Sequence, residues 1–401
     1  MNFNFLDSYS FANGLTLKNK VVMSPMTTQS SFFNGMVSSD EINYYATRSG
    51  GPGMIITGVA NVSDLGKGFE GGLSVAHDSM IPGLTRVAAA IHRDGSKAVL
   101  QIFHAGRKSN SRILRGHAPQ SASAIAAEYP QDSEVPEALS DAEIQQIIED
   151  FAQATRRAIA AGFDGVELHG ANTYLLQQFF SPNSNQRTDK WGGDRAARMS
   201  FALAVIAAVR SAIKEANPSR PFVMGYRISP EEIESPGIRL ADSLFFVNQI
   251  RDLVDYVHLS MGSYERTSLN DPSDTEPLLK KFSEATRGHT PLIGIGSVEA
   301  ANDAQAVLDG GADLVAIGRE LIREPRWVQK VAAGDFSSIR TSLSAADMEE
   351  LVIPSVMREY LVESFGSVMH FASENTAPRE TSTSTQYKNT LAPMEGFEKK
   401  L

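Results

Sequence analysis

The residues of this chain best suited to chemistry fall at the ends of short apolar runs: Thr27 after the first, Gln101 and His104 on the third, His169 and Asn172 after the fourth, Arg227 on the fifth. Polar groups gathered at one end of a set of parallel strands are how β/α enzymes build their sites. Further along, Gly294, Gly296 and Ser297 precede a helical stretch through Ala301 and Ala304, and Gly318 with Arg319 precedes another. Two helix N-termini can then aim backbone N–H groups at one anion, as in a phosphate site. Glycine also closes tight β/α turns, so the pattern alone is a weak signal. Neither these glycines nor Gly50, Gly51 and Gly53 fit GxGxxG, which gives no support to a Rossmann dinucleotide site. Cysteine is absent from the chain, excluding disulfides, thiolate nucleophiles and cysteine-ligated metal clusters. His92, His104 and His117 are not at metal-ligand spacing and HExxH does not occur, so no metal is expected.

These residues must be positioned by the runs that carry them. KVVMSP, GMIITG, AVLQIF, GVELH, FVMGYRI, DYVHLS, PLIGIG and DLVAIG end at Pro25, Gly58, Phe103, His169, Ile228, Ser260, Gly296 and Gly318, with helical stretches between them. The clearest helices are Ser140 to Ala160, opening on the capping box Ser140 to Glu143, and Asp194 to Ala216. Eight parallel strands alternating with helices close into a barrel or spread into a doubly wound sheet, and periodicity does not choose between them. The longest inserts, roughly Lys108 to Glu137 and Ser181 to Gly193, follow the third and fourth runs. Beyond Gly334 the pattern stops; a helix is predicted near Asp347 to Ser364, followed by a polar stretch from Glu374 to Gln386.

Bulk properties narrow the partners. The 401 residues carry a formal charge of -10 without a block of Lys and Arg, so nucleic acid and anionic membranes are not expected partners. The N-terminus has no basic region ahead of an apolar stretch, and no run of about 18 apolar residues occurs, which predicts a soluble, cytoplasmic protein.

The segment HGANTYLLQQFFSPNSNQRTDKWGGD from His169 to Asp194 resembles the Old Yellow Enzyme pattern of a His, an Asn, a Tyr and a downstream RTD-x-(Y/W)-GG. SPMT from Ser24 to Thr27, QIFHAGR from Gln101 to Arg107, Arg227, and GADLVAIGRELIREPRW from Gly311 to Trp327 match as well, and the likeness covers residues 1 to 335. It implies a single (β/α)8 TIM barrel over 1–335, with 336–401 as a C-terminal helix and polar tail. It also implies FMN as cofactor and NADPH or NADH as reductant. Ser24, Pro25, Met26, Thr27, Ala60, Gln101 and Arg227 would contact the FMN ring region, and Gly296, Ser297, Gly318 and Arg319 its phosphate.

By the same resemblance, His169 and Asn172 would clamp a substrate carbonyl or nitro oxygen; three positions apart, they share a face if the chain makes a helical turn there. Tyr174 would protonate the α-carbon and Phe103 would line the substrate pocket. The activity implied is ping-pong hydride transfer to an activated alkene, with a homo-oligomer compatible. Two rivals remain: a flavin-less barrel acting on a phosphorylated substrate, and a redox-sensing flavoprotein without turnover. The chain departs from the pattern at Thr27, where some bacterial relatives carry cysteine, and at Thr173, where many carry glycine. A β-branched residue resists positive φ, so an ordinary loop conformation is expected at Thr173.

Overall fold

All eight apolar runs become strands in the computed structural model, which describes residues 3–344, 347–366 and 368–372. They are β1 Val21–Met23, β2 Met54–Ile56, β3 Lys97–Phe103, β4 Gly165–Gly170, β5 Val223–Ile228, β6 Tyr256–Leu259, β7 Leu292–Ile295 and β8 Leu314–Ile317. Every neighbouring pair is parallel, and β8 pairs with β1 to close the ring. The alternative of an open doubly wound sheet is thereby excluded, because no strand of the eight has an unpaired edge.

Alternation along the strands stacks the interior in layers. Val22, Met54, Ile56, Val99, Val223, Tyr256, Ile293 and Leu314 fill the lower part, capped by Phe11, Leu15 and Leu17 from the hairpin Tyr9–Ser10 and Thr16–Leu17. Two residues further along β3, β4 and β6 the interior turns polar, with Gln101, Glu167 and His258 buried. Two more bring Phe103, His169, Arg227 and Ser260 to the top. Gly225 makes this layering possible on β5, since a Cβ there would lie 2.0 Å from the Tyr256 ring.

Outside the ring, the helix Asp141–Ala160 begins with the expected capping box: Ser140 Oγ accepts from Glu143 N, and Glu143 accepts from Ser140 N. It packs on Ser200–Ala216, burying Phe201, Val205, Ile206 and Val209. The helix predicted from Asp194 to Ala216 is two pieces, Arg195–Arg198 and Ser200–Ala216, abutting at Met199. Arg195 to Ala216 is apolar and long enough to cross a bilayer, yet here it is an outer helix with one face in the core.

The predicted helix at Asp347 to Ser364 is likewise divided, into Asp347–Glu350 and Ser355–Phe365, with Pro354 at the start of the second. This segment is fastened to the barrel. Arg48, fully buried, donates to Leu321 O, Ile322 O and Leu351 O, and Leu343 bridges to Phe371. The polar stretch from Glu374 to Gln386 lies outside the described residues.

Candidate active site

A cavity of about 740 Å³ opens at the C-terminal ends of the strands. Ser24, Pro25, Met26 and Thr27 line it after β1, Gln101 on β3, His169, Asn172 and Tyr174 at β4, and Arg227 on β5. Gly296, Ser297, Gly318 and Arg319 complete it after β7 and β8. Two of the residues assigned from sequence stand elsewhere. Ala60 is buried in the hydrophobic core beside the wall, and its neighbour Val59 reaches the cavity instead. Phe103 lies one layer back, its ring 6.4 Å from Phe69 and 5.0 Å from Tyr174, and those two rings line the space.

The chain after β4 corrects a sequence expectation. No helical turn carries His169 and Asn172; the strand runs to Gly170, Asn172 and Thr173 take φ of 56° and 61°, and the helix Leu175–Phe180 starts only afterwards. Left-handed backbone at a threonine costs on the order of 1–3 kcal/mol and persists only where the surroundings over-determine it. Here Asn172 N donates to Ser229 Oγ, Thr173 N to Gln177 Oε1, and Gln178 Nε2 to Thr173 O at 2.7 Å. The amides of Gln177 and Gln178 thus hold the left-handed turn at Thr173 in place.

This turn sets the polarity of two donors. Ala171 N donates to His169 Nδ1 at 3.3 Å, so the neutral ring carries its proton on Nε2. Burial, with the positive charge of Arg227 and the neighbouring His258, holds the imidazole well below the usual histidine range. Ser260 Oγ donates to Asn172 Oδ1 at 2.8 Å, which leaves the Asn172 amide nitrogen as the outward donor. Tyr174 stands edge-on to His169, ring centroids 4.9 Å apart.

Beneath them lies a group that sequence inspection passed over. Glu167 accepts from Gln101 Nε2 at 2.6 Å and from His258 Nδ1 at 2.9 Å, and all three side chains are buried. Burial would raise this carboxyl, but His258, Arg227 and Gln101 together hold it below the usual carboxylate range. The signal was present, since an acidic residue inside an apolar strand run is rarely buried unless paired.

At the opposite end the site is made of backbone. Gly296 has φ of 125°, and a Cβ there would lie 2.5 Å from the backbone of Ser263. Ser297 follows at φ 50°. Arg319 donates to Ser297 Oγ at 3.2 Å, joining the β7 and β8 loops. Its side chain is 17% exposed; burial lowers it to about 10, so it remains a cation at neutral pH.

Met357, Tyr360, Leu361, Phe365 and Met369 close this end of the cavity from the C-terminal segment. Nothing in their spacing marked them, because their contacts cross the whole length of the chain.

Residues 10–336 match the family model described as the NADH:flavin oxidoreductase / NADH oxidase family. The chain belongs to that family. It is 46% identical over 365 residues to the NADH:acrylate oxidoreductase of Vibrio harveyi, covering 89% of this chain and 36% of that protein. It is 38% identical over 363 residues to the probable NADH-dependent flavin oxidoreductase YqiG of Bacillus subtilis (strain 168), covering 90% and 96%. The chain therefore spans little more than a third of the Vibrio relative and nearly all of the Bacillus one. Among solved structures, morphinone reductase in complex with tetrahydroNAD superposes at a TM-score of 0.70 and 28% identity, over 83% of this chain and 92% of that one.

Membership of the NADH:flavin oxidoreductase family implies FMN as cofactor. The cavity fits this group. A flavin's pyrimidine edge alternates carbonyl acceptors with one N–H donor. Gln101 Oε1 is buried without a hydrogen-bond partner among the described residues, and the Arg227 cation lines the same cavity. The mostly buried Arg319, with the positive-φ turn at Gly296 and Ser297, suits an anion such as a phosphate.

Proposed function

We propose that this enzyme reduces the C=C bond of α,β-unsaturated carbonyl or nitro compounds, with the nicotinamide and the alkene using one cavity in turn. The observation that carries the reading is the fixed polarity of His169 and Asn172: each has its acceptor atom engaged from within the protein, so each offers a donor. Bound FMN supplies the hydride chemistry, accepting from the nicotinamide and delivering to the alkene. His169 Nε2–H and the Asn172 amide would hold the substrate oxygen, on which negative charge grows as hydride reaches the β-carbon. Such preorganised donors stabilise the transition state more than the ground state. Because the His169 ring is neutral, it donates a hydrogen bond without giving up a proton.

Tyr174, beside His169 at a different angle, would protonate the α-carbon. Gln101 and Arg227 would hold the flavin ring, and Ser297 and Arg319 its phosphate. Acrylate, named for the Vibrio relative, is an α,β-unsaturated acid, but this chain covers only 36% of that protein. The substrate class follows instead from the donors His169 and Asn172 in the cavity.

Tyr174→Phe tests the scheme because it removes one hydroxyl and keeps the ring's packing on Phe103 and His169. Reduction of bound FMN by the nicotinamide should continue at near the wild-type rate, while enone reduction falls by about 100-fold, the usual scale for a lost general acid. Stopped-flow absorbance separates the two half-reactions. Wild-type enone turnover in the variant would make Tyr174 a packing residue.

A further inference from the structure

We propose that Glu167 is a positioning residue for the cofactor: it fixes which end of the Gln101 amide faces the cavity, and its buried negative charge opposes reduction of the flavin. The inference rests on the placement of the FMN ring against Gln101 and Arg227.

A carboxylate only accepts hydrogen bonds. With Glu167 Oε1 2.6 Å from Gln101 Nε2, the amide of Gln101 cannot turn over without setting two oxygens against each other. Its Oε1 is therefore held away from Glu167, buried and without a partner among the described residues, as a fixed acceptor. The pyrimidine edge of a flavin has one donor, N3–H, flanked by carbonyls. An acceptor next to the Arg227 cation complements that edge, and a reversed amide would not. The second oxygen of Glu167 holds His258 Nδ1 at 2.9 Å, so the carboxylate is braced from both sides.

The backbone brings these groups together by register. Gln101 is opposite Glu167 across β3 and β4, and Arg227 is opposite His258 across β5 and β6. Glu167 and His258 are fully buried, so their charge is little screened by bulk solvent. Reduction of the flavin adds negative charge over this floor. Arg227 favours that charge and Glu167 disfavours it, so the pair sets how readily the cofactor is reduced. A glutamine at 167 keeps nearly the same shape and removes the charge: its oxygen would accept from Gln101 Nε2 and its amide nitrogen donate to His258 Nδ1, the neutral ring then carrying its proton on Nε2.

The experiment compares wild type, Glu167→Gln and Glu167→Asp as holoenzymes in equilibrium reduction against a reference dye, with oxidised FMN affinity measured on each apoprotein. Glu167→Gln should raise the preference for reduced over oxidised FMN at least tenfold, about 30 mV for a two-electron couple. Glu167→Asp, which keeps the charge, should stay within threefold of wild type. Equal weakening of both redox states in Glu167→Gln, with the potential unmoved, would overturn the proposal.

If Glu167→Gln does not fold, wild-type apoprotein decides through 3-deaza-FMN, which keeps the ring's shape and lacks the N3–H donor. At least tenfold weaker binding than FMN is expected, and equal binding would overturn the fixed acceptor. Gln101→Leu tests the underlying placement separately: unchanged FMN affinity would show that the ring does not lie against Gln101, and the proposal would fall with it.

Discussion

At the β4 to β6 end of the cavity the donors are side chains whose polarity is set by other buried groups, whereas at the β7 to β8 end they are backbone turns and one cation. His169 and Asn172 depend on Ala171 N and Ser260 Oγ, atom by atom. The end proposed for the phosphate depends on left-handed backbone at Gly296 and Ser297 and on Arg319, itself beside Glu299 at 3.9 Å. The first end suits a charge that appears only during reaction, since neutral donors cost little when no oxyanion is present. The second suits a permanent anion, where a buried cation gains its partner once and keeps it. The difference teaches where each end is fragile: the clamp to swaps of single atoms, the phosphate end to loss of charge or of backbone freedom.

The largest effect should come from breaking the clamp. Replacing both His169 and Asn172 by Ala removes two donors, each worth on the order of 3 kcal/mol in the transition state. Enone reduction should fall at least 1000-fold, and the long-wavelength charge-transfer absorption of a bound phenolate on oxidised flavin should vanish. FMN content should hold. A double variant that still reduces enones and still binds phenols would show that the charge develops elsewhere.

At the other end, Arg319→Ala should weaken FMN binding by about 1.5 to 3 kcal/mol, the scale of a hydrogen bond to a charged group. Fluorescence titration of the apoprotein measures it. The contrast is sharp if flavin re-added at saturation restores enone reduction in Arg319→Ala and does not in the clamp variant. An unchanged dissociation constant would remove Arg319 from the phosphate site.

These ends also differ in how they were legible. Strand runs and capping box carried the fold in local patterns, and register then follows from which face each run buries. The loops proposed for the phosphate were visible as glycine at two strand ends, because backbone freedom leaves a residue-type signature. The residues proposed as the clamp were visible by type, but their geometry was not: the left-handed pair Asn172 and Thr173 is held by Ser229, Gln177 and Gln178, contacts that no local propensity contains. Glu167 and the C-terminal wall at Met357 and Leu361 were missed for one reason. Their meaning lies in partners on other strands or far along the chain, as His258 and Arg48 show.

The smallest effect separates the two ends by acid. His169 and His104 are both buried around β3 and β4; His104 takes a hydrogen bond from Gly106 N on Nδ1, and burial lowers it to about 3. His169 is also held well below the usual range. A histidine whose folded pKa is depressed contributes its full stability above its unfolded value, about 6.5, and loses it as pH falls toward the folded value. Below 6.5 the unfolded chain binds protons that the native site refuses, so each of the two should cost at most about 1.4 kcal/mol per pH unit. Arg319 at the β7 to β8 end contributes no such term, since it is charged in both states across this window. Urea unfolding from pH 7 to pH 4.5 should therefore show wild type losing stability faster than His104→Gln, whose neutral side chain has no proton to refuse. The variant, less stable than wild type at pH 7, should close part of that gap as pH drops. Parallel curves would mean that His104 binds its proton as readily in the native protein as in the unfolded chain, and that its surroundings are not dry and neutral.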